Sequence, residues 1–106
     1  MLLMTIKSIL KEVEDLVRDL KNKDAKERTV SYHAIVALLG RIEESVKEQS
    51  YPNYPIYKDD LVKACEKLCT LADHGGVEEG QYIGGALATV RKMGSYSCFN
   101  VDNHYI

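Results

Sequence analysis

Cysteine and histidine are the residue types in this chain best suited to binding a metal or to nucleophilic catalysis. Five of them fall in its C-terminal half: Cys65, Cys69, His74, Cys98 and His104. Zinc takes four ligands of these types, and its structural sites usually begin with closely spaced cysteines in a turn. Cys65 and Cys69 are instead four residues apart, on one helical face with Leu61 and Leu68. A free cysteine in such a stripe behaves as a small hydrophobe, so we expect core packing, no metal ligand and no catalytic residue. His33, near the start of an apolar helix, is interpreted as a structural or interface residue.

Acidic residues are the second group that could do chemistry, because clustered carboxylates bind divalent cations. The candidates are Glu43, Glu44, Glu48, Asp59 and Asp60. A second motif of spaced acids is not recognisable, so a solvated helix face explains them better and a metal-dependent hydrolase remains a remote alternative. The segment 74–80, HGGVEEG, lacks the Gly-Lys-Ser/Thr of a phosphate loop. We interpret it as a turn followed by an acidic helix start, and we predict no cofactor.

A helix-turn-helix unit is the alternative from another functional class. Val36, Gly40 and Val46 have the spacing of the small residue, turn glycine and core residue of such a unit. The recognition helix would then begin at Glu43 and Glu44, where DNA phosphates require cations. The apolar stripe also continues through Gly40 without a turn signal. DNA binding is therefore kept only as an alternative, and nucleic acid is not the expected partner.

Aromatic residues form the most suggestive feature of the sequence. They occur in a loop with two prolines and in the C-terminal tail: Tyr51, Tyr54, Tyr57, Tyr96, Phe99 and Tyr105. Tyrosine buries a large area at low entropic cost and is enriched at interfaces. These rings could instead cover the open ends of a small helical core. We take them as the candidate partner-binding residues.

Four helices are predicted to position these groups, at about 5–22, 30–49, 59–74 and 78–93, followed by an irregular or single-strand tail at 95–106. Apolar residues recur at steps of three and four in each helix, which is typical of amphipathic helices. The segment 21–28, KNKDAKER, is interpreted as a charged connector. Ala34, Val36 and Ala37 make the first half of the second helix apolar nearly all round, which predicts a central core position or a subunit contact.

Composition supports one domain of the all-α class, a compact four-helix bundle-like arrangement spanning 1–106. The chain has 106 residues, 45% hydrophobic and 28% charged, with a net charge of −2. It shows no secretory leader and no apolar run long enough for a membrane span, so we expect a cytoplasmic protein with no membrane partner. The absence of a catalytic signature favours a small non-catalytic interaction protein, a regulator or inhibitor of the bacterial or phage accessory type. It is expected to bind a partner protein and to self-associate through the apolar faces of its first two helices.

Overall fold

A computed structural model describes residues 6–46, 53–71 and 76–94. Over these ranges the chain forms four α-helices and no strand: α1 (Ile6–Asp19), α2 (Ala25–Val46), α3 (Tyr54–Thr70) and α4 (Val77–Gly94). A 3-10 turn, Leu20–Asn22, follows α1. The predicted all-α, four-helix class is confirmed. The predicted tail, 95–106, lies outside the described residues.

The helices enclose one core. α1 and α3 each pack against both α2 and α4. The buried apolar side chains come from every helix: Ile6, Ile9, Leu10, Val13, Val17, Leu20, Ile35, Leu38, Leu39, Ile42, Tyr54, Leu61, Cys65, Leu68, Ala86, Val90 and Met93. Each large aliphatic side chain buried in this way contributes about 1.5–3 kcal/mol, so this core is the main source of stability.

α1 is the amphipathic helix that its sequence predicts. Ile6, Ile9, Val13 and Val17 are spaced by three or four residues and all are buried. The solvent face carries ion pairs between residues four apart, such as Lys11 Nζ to Asp15 Oδ1 at 2.6 Å. Such exposed pairs contribute only about 0.3–0.5 kcal/mol, so packing of the apolar face holds the helix in place. The buried residues of that face pack inside the chain, and the self-association predicted through the first two helices stays a prediction.

The interpretation of 21–28 as a connector is wrong, because α2 begins at Ala25. The Asp24 carboxylate accepts a hydrogen bond from the Glu27 backbone N–H at 2.8 Å, and Glu27 Oε1 accepts one from the Asp24 N–H at 3.4 Å. This reciprocal arrangement is a capping box built on Asp in place of Ser or Thr, and it satisfies amide groups that a helix start leaves without partners. The first turn of α2 therefore lies in the segment taken as a loop.

α3 also begins earlier than predicted, at Tyr54 instead of residue 59, and it ends at Thr70 instead of residue 74. Pro55 stands in its first turn, where the missing N–H removes no helical hydrogen bond and the fixed φ suits the helix. Pro55 therefore marks the start of α3, whereas the sequence prediction placed it in a loop. α4 lies within one residue of its predicted bounds.

Each helix in the described ranges is too short or too polar to cross a lipid bilayer.

Candidate interaction surface

Tyr54, predicted to bind a partner, lies in the core. Its side chain is 2% exposed, and its hydroxyl donates a hydrogen bond to the Leu39 carbonyl oxygen at 2.8 Å. Burial, with a smaller contribution from the Glu43 charge, raises the pKa of the phenol well above its ordinary value. This ring joins α3 to α2 from inside. Its assignment as a partner-binding residue is corrected, because no partner can reach it in the folded chain.

The remaining predicted aromatic residues are only partly placed by the structure. Tyr57 is half-buried and packs against the core. The others lie outside the described residues: Tyr51, Tyr96, Phe99 and Tyr105. The prediction that these four rings bind a partner stays a prediction.

The two described cysteines belong to the packing of α3. Cys65 is buried, and desolvation, assisted by the charge of Cys69, raises the pKa of its thiol to about 12. Cys69 is half-buried, and burial raises its thiol pKa against the opposing effects of a hydrogen bond with Thr29 and the Arg28 charge. Both thiols are therefore protonated at neutral pH and are poor nucleophiles and ligands in that form. The predicted core packing of Cys65 is confirmed.

The other candidate ligands do not converge in the part of the chain that the structure describes. His74, Cys98 and His104 lie outside it. His33 is exposed on α2, its ring centroid 5.4 Å from that of Tyr32. No three His, Cys, Asp or Glu side chains of the described ranges stand close enough together to hold a metal ion.

Two of the candidate acids form ion pairs, and Glu48 lies outside the described residues. Glu43 on α2 pairs with Lys58 on α3, and Asp59 pairs with Lys63 at 2.8 Å. A groove of about 350 Å³ lies beside the first of these pairs, with Tyr32 and Val36 of α2 among its lining. The other lining residues of the described chain are Glu43, Pro55, Lys58, Asp59 and Val62.

α2 continues through Gly40 without interruption. A helix-turn-helix unit needs a turn of three or four residues between its helices, and the predicted unit placed that turn at Gly40. The geometry required by that alternative is therefore absent from α2. Glu43 and Glu44 lie exposed on the same continuous helix.

The side of α2 turned away from the core is the most unusual surface of the described chain. Its central line, called here the outer face of α2, consists of Lys26, Val30, His33, Ala37, Gly40 and Glu44, all exposed. Val30 is 68% exposed, and no atom lies within 4 Å of the place where a Cβ on Gly40 would stand. The predicted central core position holds only for the opposite side, which carries Ile35, Leu39 and Ile42. The subunit-contact interpretation remains for the outer face.

Arg28 fixes the start of α2 and so positions this face. Its guanidinium is 1% exposed and donates hydrogen bonds from Nε to the Leu20 carbonyl at 2.9 Å, from Nη1 to the Leu68 carbonyl at 3.0 Å, and from Nη2 to Glu79 Oε2 at 2.7 Å. One side chain thereby joins the end of the α1 segment, the last turn of α3 and the first turn of α4. We refer to these groups as the Arg28 cluster.

The sequence analysis missed the Arg28 cluster, although a signal existed. Once Asp24 and Glu27 are recognised as a capping box, residue 28 falls on the stripe that continues through Ser31, Ile35 and Ile42. An arginine in that stripe must be buried with partners, since an unpaired buried charge is very costly. Glu79, assigned to an acidic helix start, is the partner and is 5% exposed.

Comparison with protein-family models, with curated proteins and with solved structures gives no significant match.

Proposed function

We propose that this chain is a small non-catalytic interaction module, a regulator or inhibitor that acts by binding a protein through the outer face of α2. One observation carries the proposal: the middle of α2, residues 30–39, is apolar nearly all round, but only one side of it is used by the core. Val30, Ala34 and Ala37 are exposed although they are the residue types expected inside. Helices that are apolar all round are normally buried on all sides, so a further protein surface is the natural cover.

Gly40 supports the same proposal on energetic grounds. A glycine inside a helix costs about 1 kcal/mol relative to alanine. No neighbouring atom in the chain requires the missing side chain, since the Cβ position is open, as it also is at Gly80, Gly84 and Gly85 of α4. A second backbone approaching α2 closely from outside would benefit from it, and this benefit would offset the cost in the bound state.

The two largest exposed apolar side chains outside α2 are Ile56, at 58%, and Val77, at 80%, and each stands in the first turn of its helix. Single exposed hydrophobes of this kind are ordinary on a protein surface. On α2, in contrast, Val30 is followed about one, two and three turns later by Ala34, Ala37 and Gly40. The proposal therefore rests on α2 and not on the isolated residues of α3 and α4.

A site-specific photo-crosslinker at residue 37 tests the proposal in a lysate of the source cells, with the same group at Ala88 as control. Both positions are exposed alanines inside helices, Ala37 on α2 and Ala88 on α4. We expect an adduct of defined mass from residue 37 alone, competed by excess wild-type chain but not by the Ala37→Arg variant. Ala88→Arg should compete as well as wild type. Identical adducts from both positions, or none from residue 37, contradict the proposal.

A further inference from the structure

The outer face of α2 has a spacing that is the same in both directions along the helix. Its positions, 26, 30, 33, 37, 40 and 44, are separated by four, three, four, three and four residues. Alternation of three and four is the seam of a coiled coil, where side chains of two helices interlock. The series is symmetric about residue 35. When a second identical helix runs in the opposite direction, position 26 therefore faces position 44, position 30 faces 40, and position 33 faces 37.

We propose that the partner of this face is a second copy of the same chain, with the two α2 helices antiparallel about residue 35. The proposal rests on the function proposed above and names its partner. In this register Lys26 faces Glu44 of the second copy, Val30 faces Gly40, and His33 faces Ala37. A two-fold axis repeats each contact, as in other symmetric dimers.

Each of these contacts joins unlike residues. Val30 projects from the surface at the level where the second copy has no side chain, so its isopropyl group enters the space left open at Gly40. His33 likewise meets the small side chain of Ala37. At both ends of the seam a lysine meets a carboxylate, and complementary charges across an interface favour the orientation that brings them together.

The parallel arrangement lacks this complementarity. There Lys26 would face Lys26, Glu44 would face Glu44, and two Gly40 residues would face each other across an unfilled space. Like charges placed opposite each other oppose association. Charge and shape thus select the same antiparallel orientation.

The dimer is expected to be weak. α2 has 22 residues and is therefore about 33 Å long. A contact between two single helices of this length falls in the class of small interfaces that bury less than about 1,200 Å², which form transient complexes. Association should depend on concentration and should be reduced by salt, because part of the orientation comes from exposed charges.

Charge reversal provides the first test, read by sedimentation equilibrium of the purified full chain over a wide concentration range. Lys26→Glu and Glu44→Lys each place like charges at both ends of the seam and should weaken the dimer about tenfold. The double variant Lys26→Glu/Glu44→Lys restores opposite charges and should recover wild-type association. Lys63→Glu, an exposed change on α3, should have no effect. If the double variant dimerises as weakly as the single variants, the proposal is overturned.

Cysteine pairing provides the second test and defines the register. Val30→Cys mixed with Gly40→Cys should form a disulfide between the two variants under mild oxidation. Neither variant should pair with itself, because residue 30 of one chain lies ten residues, or about 15 Å, from residue 30 of the other. That separation exceeds the reach of a disulfide. Wild type gives the baseline for the native cysteines, and Val30→Cys mixed with Ala88→Cys is the matched control.

The outcomes separate this inference from the function on which it depends. Self-pairing of Val30→Cys would show a parallel seam and overturn the inference. A chain that stays monomeric at every concentration also overturns it. If residue 37 nevertheless crosslinks specifically to a different protein, the proposed interaction function stands with another partner. If the monomer shows no specific adduct from residue 37, both proposals fail.

Discussion

Replacing Arg28 with methionine should strongly destabilise this protein. Methionine keeps an unbranched apolar stem of similar course but removes the hydrogen bonds that the guanidinium donates. The Glu79 carboxylate, 5% exposed, then remains inside the protein without the cation at 2.7 Å that now neutralises it. The Leu20 and Leu68 carbonyls lose a donor at the same time.

The size of the effect follows from this burial. Removing one partner of a buried ion pair costs about 3–5 kcal/mol, because an uncompensated charge is left behind. Stabilities of single domains are about 5–15 kcal/mol, so the variant should lose a large part of the total. With a urea dependence of about 1.5 kcal/mol per molar, the unfolding midpoint should fall by about 2–3 M.

Urea unfolding followed by circular dichroism measures this shift, and two further variants identify its cause. Arg28→Met/Glu79→Met removes both charges and should be less destabilised than Arg28→Met alone, since no charge remains buried without a partner. Arg91→Met, at an ion-paired arginine that is 66% exposed on α4, should change stability by less than about 0.5 kcal/mol. A loss below about 1 kcal/mol for Arg28→Met, or additive losses in the double variant, would refute the reasoning.

Four further predictions concern the helices and the core. Gly84→Ala should raise the free energy of unfolding by about 0.5–1 kcal/mol, because the added methyl group on α4 meets no atom within 4 Å; a decrease in the urea midpoint would contradict this. Asp24→Ala should lower the free energy of unfolding by about 0.5–2 kcal/mol by removing the cap of α2, whereas Asp24→Ser should retain most of the stability. Tyr54→Phe should lower it by about 0.5–1.5 kcal/mol through loss of the bond to Leu39 and leave dimerisation unchanged; weaker self-association at full stability would restore Tyr54 as a contact residue. Burial raises the pKa of the Cys65 thiol from 9.0 to about 12, so the unfolded chain releases this proton first and stability should fall as the pH rises from about 9 toward 12. Unfolding midpoints across that window should fall less steeply in Cys65→Ala, and equal slopes would exclude the thiol as a cause.

Much of the fold follows from local patterns that the sequence displays directly. The spacing of Ile6, Ile9, Val13 and Val17 determines both that α1 is a helix and which side it buries. The same holds for Leu61, Cys65 and Leu68 on α3. Two errors fell at helix starts, where a capping box built on Asp24 and a first-turn proline, Pro55, were interpreted as loop signals. Helix capping and the fixed φ of proline both act locally. The sequence therefore contains the information that places the starts of α2 and α3.

The candidate surface depended on contacts between residues distant in sequence. Ala34, Val36 and Ala37 indicated that the first half of the predicted second helix is apolar nearly all round, but two interpretations fitted this pattern. Only the packing of α1 and α3 against one side showed which apolar residues remain exposed. Tyr54 was misassigned for the same reason, because a tyrosine near a proline can point outward or inward, and the Leu39 carbonyl that accepts its hydroxyl lies on another helix.

The sequence by itself determined the helical class, the helix number and the buried side of α1, because periodicity is a property of neighbouring residues. Tertiary structure decided which charged and apolar residues are buried and which are exposed. Arg28 is buried because Glu79, 51 positions later, and the last turn of α3 supply its partners. Val30, two residues after Arg28, is exposed because no helix of the described chain covers its side of α2. Burial depends on the arrangement of whole helices, which local spacing does not specify.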